Sequence, residues 1–358
     1  MESVGINMMV AVIFMPTMNN SILYHLGTKT HLGKSIFVNK FLDRSEEPKE
    51  TVALEYIYAR RTRGNNKDVC HIWELGGGTN FTTLLSIPLV KKNIEASSLV
   101  LVLDLTRPNE LWITMEQVLA AAERCVETAT KELDQKQQDV MKGRVNSRLS
   151  EYKDDIRMCS PFPIPLLIVG TKYDEFQAIS LTSNSSLSPQ SPQIFQNFDS
   201  EQRRKICATL RFIAHYYGAH LMFYSSYNEQ LIRVGRSFLS HFAFGTSVPK
   251  AKVDDHNKPL YVVCGMDTFE SIGPPPIDTA SFSRAGQPLH LWKQAFCDSF
   301  PQAEKETIDK SSEDQSLFAE PLIDNLVANR EKDLEIYIKQ KKDRLAAEAR
   351  AAEKIRAV

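Results

Sequence analysis

The chain has no cysteine pair at C-x-x-C spacing, although it contains six cysteines. They are Cys70, Cys125, Cys159, Cys207, Cys264 and Cys297. Their wide separation excludes the paired ligand motifs of zinc ribbons and of thioredoxin-like redox sites. Scattered single cysteines are typical of small buried side chains in a reducing compartment.

Long apolar runs and an excess of one charge are also missing. The N-terminal run Met8–Met15 spans eight residues, whereas a transmembrane helix needs about 20. A secretory signal begins with basic residues, and only Glu2 carries a charge before this run. Lys and Arg total 43 against 44 Asp and Glu, while nucleic-acid binding usually needs a clear basic excess. We therefore expect a cytosolic protein without membrane insertion or nucleic-acid binding, and a buried strand or a poorly ordered start at Met8–Met15.

Short apolar runs alternate with longer segments of helical period. Ser98–Leu105 is an apolar run that ends in an acid, and Pro165–Gly170 and Ala219–Ser225 are two further runs that are mainly apolar. Runs without polar alternation are typical of strands of a parallel sheet that are buried on both faces. Asn109–Leu133 and Glu201–Tyr217 carry apolar residues at helical spacing. This alternation predicts a doubly wound, mostly parallel α/β sheet.

Changes in composition suggest how the chain is divided. We expect an atypical N-terminal segment at 1–20, a sheet domain at 21–250, and a Ser/Pro-rich surface insertion at about 180–193. A C-terminal extension at 251–310 is expected to pack on the domain. The highly charged tail at 311–358 is expected to be helical or disordered, and either solvated or docked on another subunit through its few apolar side chains.

A glycine-rich segment has the context of a phosphate-binding loop. Gly27–Ser35 (GTKTHLGKS) stands between a predicted strand, Ile22–Leu26, and a predicted helix, Ile36–Leu42. In such a loop the helix N-terminus holds phosphate oxygens. Lys34 would neutralise the β- and γ-phosphates, and Ser35 would hold Mg²⁺.

The spacing within this segment differs from the usual pattern. Five residues separate Gly27 from Gly33, whereas the G-x-x-x-x-G-K-[ST] pattern has four. Either the loop is one residue longer than usual, or it does not close on a phosphate.

The segments that follow have the order of a GTP-binding domain. Thr51 is either a second Mg²⁺ ligand or the beginning of a strand at Val52–Tyr58. Glu74 and Gly77 stand where such domains have D-x-x-G, with Glu in place of Asp. The next position, where GTPases of the Ras kind carry a Gln that orients the attacking water, is Gly78. Rapid GTP hydrolysis is therefore not expected.

The residues that would recognise the base of the nucleotide lie at the ends of two later predicted strands. Thr171, Lys172 and Asp174 stand in the place of N-K-x-D, with Thr in place of Asn. Ser225 follows the next strand, where a last base-contacting loop would lie. Because ligands bind outside the carboxyl ends of such strands, these positions predict a P-loop, Ras-like fold with a guanine-nucleotide site that is either functional or vestigial.

Other chemistries have little support. The sequence contains neither the G-x-S-x-G nor the H-E-x-x-H motif. His215, at the end of a predicted helix, is expected to be packed or capping rather than catalytic. Trp292 is expected to anchor a C-terminal helix on the main domain.

Several segments resemble the light intermediate chains of cytoplasmic dynein, most closely those of the dynein-2, intraflagellar-transport type. They are Phe41–Arg44, Thr51–Tyr58, Trp73–Thr79, Leu99–Leu105, Pro161–Pro163, Gly170–Asp174, Leu210–Ala219, Asn257–Leu260, Gly265–Phe269 and Leu291–Lys293. The resemblance covers roughly residues 40 to 300, and residues 1–26 do not look like the usual N-terminus of this family.

The resemblance implies a Ras-like domain that serves as a non-catalytic motor subunit. It implies binding to the dynein-2 heavy chain and its other subunits, indirect association with microtubules, and retrograde transport and cilium assembly. It implies residence in the cytoplasm, the cytoskeleton and the cilium, at the axoneme and basal body. A subunit of this kind is expected to require no cofactor. The alternative, a slow GTP-binding switch that takes GTP or GDP with Mg²⁺, rests on the nucleotide motifs and stays open.

Overall fold

In the computed structural model of the protein, the apolar runs form the centre of a mixed sheet. The structure describes residues 6–10, 33–44, 46, 51–63, 66–76, 78–177, 198–276, 288–302 and 320–356. The chain divides into two units, Met1–Ala303 and Glu304–Val358. The sheet belongs to the first unit.

Eight strands make up the sheet among the described residues. They are β1 (Ile6–Val10), β2 (Leu54–Arg63), β3 (Asn66–Leu75), β4 (Leu99–Asp104), β5 (Leu166–Thr171), β6 (His220–Phe223), β7 (Lys252–Val253) and β8 (Tyr261–Val262). Their order is β2-β3-β1-β4-β5-β6-β8-β7. The five central strands from β3 to β6 are parallel, and β2, β8 and β7 join antiparallel at the edges. The predicted doubly wound, mostly parallel sheet is confirmed.

Helices cover both faces of this sheet. They are α1 (Gly33–Phe41), α2 (Pro108–Lys131), α3 (Gln135–Arg148), α4 (Tyr173–Gln177), α5 (Ser200–Tyr216), α6 (Glu229–Phe244), α7 (Phe269–Ile272) and α8 (Pro288–Ser299), with 3₁₀ helices at Gly78–Ser86, Ile94–Ala96 and Lys153–Met158. Local sequence sets several of their ends. Asp199 caps α5 by accepting the Gln202 N–H, and Gly245 ends α6 in the left-handed conformation, φ 65°.

Alternate residues of one strand enter two separate cores. In β4, Leu99, Leu101 and Leu103 join the core beneath α2, α5 and α8. Val100 and Val102 join the core beneath α1 and α6. Both faces of the strand are therefore buried, which is why its sequence shows no polar alternation.

An interior strand of the sheet, β1, comes from residues Ile6–Val10 near the N-terminus. β1 pairs in parallel with Cys70–Glu74 of β3, and its Met9 pairs with Leu99 of β4. The sheet therefore begins before residue 21, where we expected the domain to begin. The predicted strand Ile22–Leu26 lies outside the described residues, and residues 11–32 separate β1 from α1.

The C-terminal part of the first unit extends the sheet and covers one face. β8 pairs with β6, and β7 with β8. In α8, the Trp292 ring is 3% exposed and stacks on Phe212 of α5 at 4.7 Å, as expected for an anchor. The predicted insertion at 180–193 lies outside the described residues.

The second unit contains one long helix, α9 (Pro321–Arg356). The large apolar side chains described between Leu322 and Leu345 are exposed, from 44% at Ile338 to 83% at Leu322. In the part of the chain that the structure describes, no helix is both long and apolar enough to cross a bilayer.

Candidate nucleotide site

The predicted site residues that the structure describes lie at the carboxyl edge of the parallel strands. Lys34 and Ser35 begin α1, Glu74 stands near the end of β3, Thr171 ends β5, and Ser225 follows β6. A Cβ added at Gly33 would lie 3.6 Å from the Thr171 Oγ1, so the start of α1 faces the end of β5. Gly27 and Gly77 lie outside the described residues.

The Glu74 carboxylate is the centre of this site. Its Oε1 accepts hydrogen bonds from the Ser35 Oγ at 2.6 Å and from the Thr51 Oγ1 at 2.9 Å. Glu74 is fully buried, and Ser35 and Thr51 are each 8% exposed. The two predicted Mg²⁺ ligands are therefore brought together, but around a carboxylate oxygen. Thr51 lies before β2 rather than in it, since that strand begins at Leu54.

The second oxygen of this carboxylate has no hydrogen-bond partner among the described residues. This Oε2 is buried, and a buried oxygen without a donor is costly. Burial raises the pKa of Glu74, while the hydrogen bond from Ser35, the charge of Lys34 and the hydrogen bond from Thr51 oppose that rise.

The predicted phosphate-binding lysine points to the end of β3. Lys34 is 3% exposed, and its Nζ donates to the carbonyl oxygen of Leu75 at 2.8 Å. Its ammonium also interacts electrostatically with Glu74. A buried charge is tolerated when it is paired and hydrogen-bonded, and here protein groups meet both needs.

The predicted base-reading lysine is held by an acid that we did not predict as part of the site. The Lys172 Nζ lies 2.7 Å from the Asp104 Oδ2 at the end of β4. Asp104 also accepts from the N–H and the hydroxyl of Thr106, at 2.9 and 2.6 Å. Lys172 has a positive φ of 58°, and the Thr171 Oγ1 donates to the Leu103 carbonyl at 2.9 Å. The available signal was the acid that ends an apolar strand.

The other predicted base-contacting residues described in the structure are Asp174 and Ser225. Asp174 is exposed in the first turn of α4. Ser225 is 2% exposed, and its Oγ accepts from the Tyr227 N–H at 3.2 Å. Ser225 therefore shapes its own turn.

Two glycines near the end of β3 define the rest of the site. An added Cβ at Gly76 would lie 2.0 Å from the carbonyl oxygen of Thr51, so only glycine allows these backbones to approach. The predicted motif glycine is the next residue, Gly77, which lies outside the described residues. Gly78 begins a 3₁₀ helix with φ 59° and has no side chain to orient a water.

The described residues do not fit an Mg²⁺-bound nucleotide in this arrangement. Mg²⁺ usually keeps several waters in an octahedral shell, but the Ser35 and Thr51 hydroxyls are buried and both donate to Glu74. Lys34 is likewise engaged by Leu75. Elsewhere in the described chain, no group of three or more His, Cys, Asp or Glu residues could hold a metal ion.

His215 has a structural position, as predicted. It is 3% exposed, its Nε2 lies 2.9 Å from the Asp155 Oδ2, and its ring stacks on Tyr152 at 4.4 Å. Burial lowers its pKa, while the hydrogen bond and charge of Asp155 oppose that fall. The imidazole joins α5 to the 3₁₀ helix Lys153–Met158.

Comparison with known proteins identifies the family. A family model described as dynein light intermediate chain matches residues 15–186. Proteins named cytoplasmic dynein 2 light intermediate chain 1 are similar over 88% of this chain: the Danio rerio protein is 41% identical, with 84% of it covered. The Bos taurus and Homo sapiens proteins are 38% and 37% identical, each with 86% covered.

A solved structure has the same fold. It is the crystal structure of the conserved domain of a dynein light intermediate chain, which matches with a TM-score of 0.52 and 14% identity over 81% of this chain and 97% of that one. At 14% identity this structure shows the fold alone. The family is shown by the sequence relatives, which are 37–41% identical over most of both chains. This chain belongs to the dynein light intermediate chain family.

Proposed function

We propose that the chain is a non-catalytic light intermediate chain subunit of the cytoplasmic dynein 2 motor. It binds the heavy chain and supports retrograde intraflagellar transport and cilium assembly. The observation that carries this proposal is the similarity to proteins of that name over 88% of the chain.

The geometry of the site favours a structural rather than a catalytic role. The Ser35 and Thr51 hydroxyls are bound by Glu74, and Lys34 is bound by a backbone carbonyl. Gly78 cannot polarise an attacking water. We infer that the Ras-like domain works as a platform that requires no cofactor.

The same proposal places the protein with its motor. Its partners are the dynein-2 heavy chain and other dynein-2 subunits, and its association with microtubules is indirect. It acts in the cytoplasm and the cytoskeleton, and in the cilium at the axoneme and basal body.

Affinity purification from ciliated cells tests this function. We expect the tagged full-length chain to recover a dynein-2 heavy chain in near-stoichiometric amount, and to pellet with microtubules only when that heavy chain is present. Recovery as a stable monomer from cells that express the heavy chain would overturn the proposal, as would normal cilia after depletion.

A second candidate function is a slow GTP-binding switch. The observation in its favour is that α1 and the ends of β3 and β5 bring Lys34, Ser35, Thr51 and Thr171 to one edge. It predicts near one guanine nucleotide per purified chain, and loss of nucleotide binding with changed partner affinity in Lys34→Ala. A wild-type chain that neither retains nor binds labelled GTP or GDP with Mg²⁺ would exclude it.

A further inference from the structure

In P-loop sites a metal ion joins parts of the chain that are far apart in sequence. The ion takes an oxygen from the residue that follows the loop lysine, and neutralises the phosphates nearby. In this chain, Ser35 and Thr51 are the corresponding residues. They stand 39 and 23 positions from Glu74, the residue that joins them here.

One oxygen of Glu74 makes both connections. The distances of 2.6 and 2.9 Å to the Oε1 are those of good O–H···O bonds. Hydrogen bonds to a charged acceptor are stronger than bonds between neutral groups. These two are also shielded from water, because all three side chains are buried.

The length of the glutamate side chain makes this contact possible. An aspartate at position 74 would withdraw the carboxylate by one carbon–carbon bond, about 1.5 Å. If the backbone stayed in place, the bonds of 2.6 and 2.9 Å would lengthen by up to that amount, beyond the range of a good O–H···O hydrogen bond. The replacement of the usual Asp by Glu thus has a direct structural consequence.

Charge in this site is also balanced by the protein itself. The Lys34 ammonium interacts with Glu74 and donates to the Leu75 carbonyl at 2.8 Å. The ammonium therefore has a backbone acceptor and a nearby carboxyl group within the protein, so its burial does not depend on a phosphate.

We propose that the Glu74 carboxylate takes the place of the metal ion, holding Ser35 and Thr51 together in a folded state that needs neither Mg²⁺ nor nucleotide. The segment before β2, which contains Thr51, is thereby fixed to the start of α1 permanently. The site is a structural joint, and its conformation does not follow a nucleotide cycle.

Thermal unfolding of the full-length chain in EDTA, without nucleotide, tests this proposal. Ser35→Ala and Thr51→Val each remove one hydroxyl, and we expect each to lower the Tm by about 2–5 °C. Ser35→Thr keeps a hydroxyl and is expected to stay closer to the wild type than Ser35→Ala does. Ser147→Ala is a matched control, because it also removes one hydroxyl, but an exposed one in α3 that donates to the Gly143 carbonyl of the same helix. It should leave the Tm within about 1 °C.

Addition of Mg²⁺ with GDP completes the test. We expect no shift in the Tm of the wild type, because the hydroxyls already have their acceptor. The proposal is overturned if Mg²⁺ with GDP stabilises the wild type and Ser35→Ala abolishes that gain, or if neither hydroxyl matters in EDTA. If Ser35→Ala does not fold, Thr51→Val and Glu74→Asp give the same comparison, and both should lose stability in EDTA. Heavy-chain recovery is measured separately, so failure of this proposal is distinguishable from failure of the subunit role.

Discussion

Gly76 lies where two backbone segments of the candidate site come closest, and its replacement by alanine tests how tightly the site is built. Its N–H donates to the Ala53 carbonyl at 2.6 Å. An added Cβ would lie 2.0 Å from the Thr51 carbonyl oxygen and 2.7 Å from its carbonyl carbon. Because these are backbone atoms, no side-chain rotation can relieve the overlap.

The cost of Gly76→Ala follows from these distances. Relief needs a displacement of more than about 1 Å, since packed carbon atoms stay roughly 3.5 Å from their neighbours. Overpacking of this kind costs about 1–3 kcal/mol. The shift would also carry Thr51 from Glu74, and the loss of that buried bond costs about 1–3 kcal/mol more. We expect a total loss of about 2–6 kcal/mol.

Urea unfolding followed by tryptophan fluorescence measures this loss, and the chain offers a matched control. Gly143 stands in α3 with no atom within 4 Å of an added Cβ. Gly143→Ala should therefore stabilise the protein by up to about 1 kcal/mol, since alanine is the better helix former. A Gly76→Ala protein within about 0.5 kcal/mol of the wild type would refute the argument from close approach.

The class of fold could be predicted because it follows from a pattern within short segments of the sequence. Strands buried on both faces are apolar along their length, as β4 is over the five residues Leu99–Leu103 and β5 over the four residues Leu166–Val169. The position of several motif residues at strand ends followed from the same pattern. That α1 follows the candidate loop was also predicted, although it begins at Gly33 rather than Ile36.

The position of β1 in the sheet could not be predicted from local pattern alone. It depends on the pairing of β1 with Cys70–Glu74 of β3, some 60 residues away. β7 and β8 have two residues each, too few for a period to be recognised.

The contacts within the site could not be predicted from the motifs either. The motif reading assigns Lys34 to phosphate and Lys172 to the base. The folded chain instead places Lys34 on the Leu75 carbonyl and Lys172 on Asp104. Such pairs depend on where β3, β4 and β5 end relative to one another, which spacing along a single sequence does not specify.

Three further perturbations test packing and charge in the first unit. Trp292→Ala removes a ring that is 3% exposed and should cost about 3–5 kcal/mol in urea unfolding, with Trp292→Phe recovering a good part of it; equal losses in both variants would contradict the stacking role. Asp267→Ala leaves the buried Arg211 guanidinium without the carboxylate that accepts from it at 2.7 and 2.8 Å, and should cost about 3–5 kcal/mol; a wild-type urea midpoint would argue against that pair. Burial lowers the pKa of His220 from 6.5 to about 3, helped by neighbouring positive charge, and its Nδ1 accepts the Cys264 N–H at 3.2 Å, as only a neutral imidazole can. The unfolded chain takes up this proton below about pH 6.5 while the folded chain does not. The stability from His220 is therefore complete above pH 6.5 and is lost as the pH falls towards 3, by up to about 1.4 kcal/mol per pH unit. His220→Asn should have a flatter dependence of unfolding free energy between pH 7 and pH 4.5 than the wild type, and identical slopes would show that this histidine is not the group that titrates.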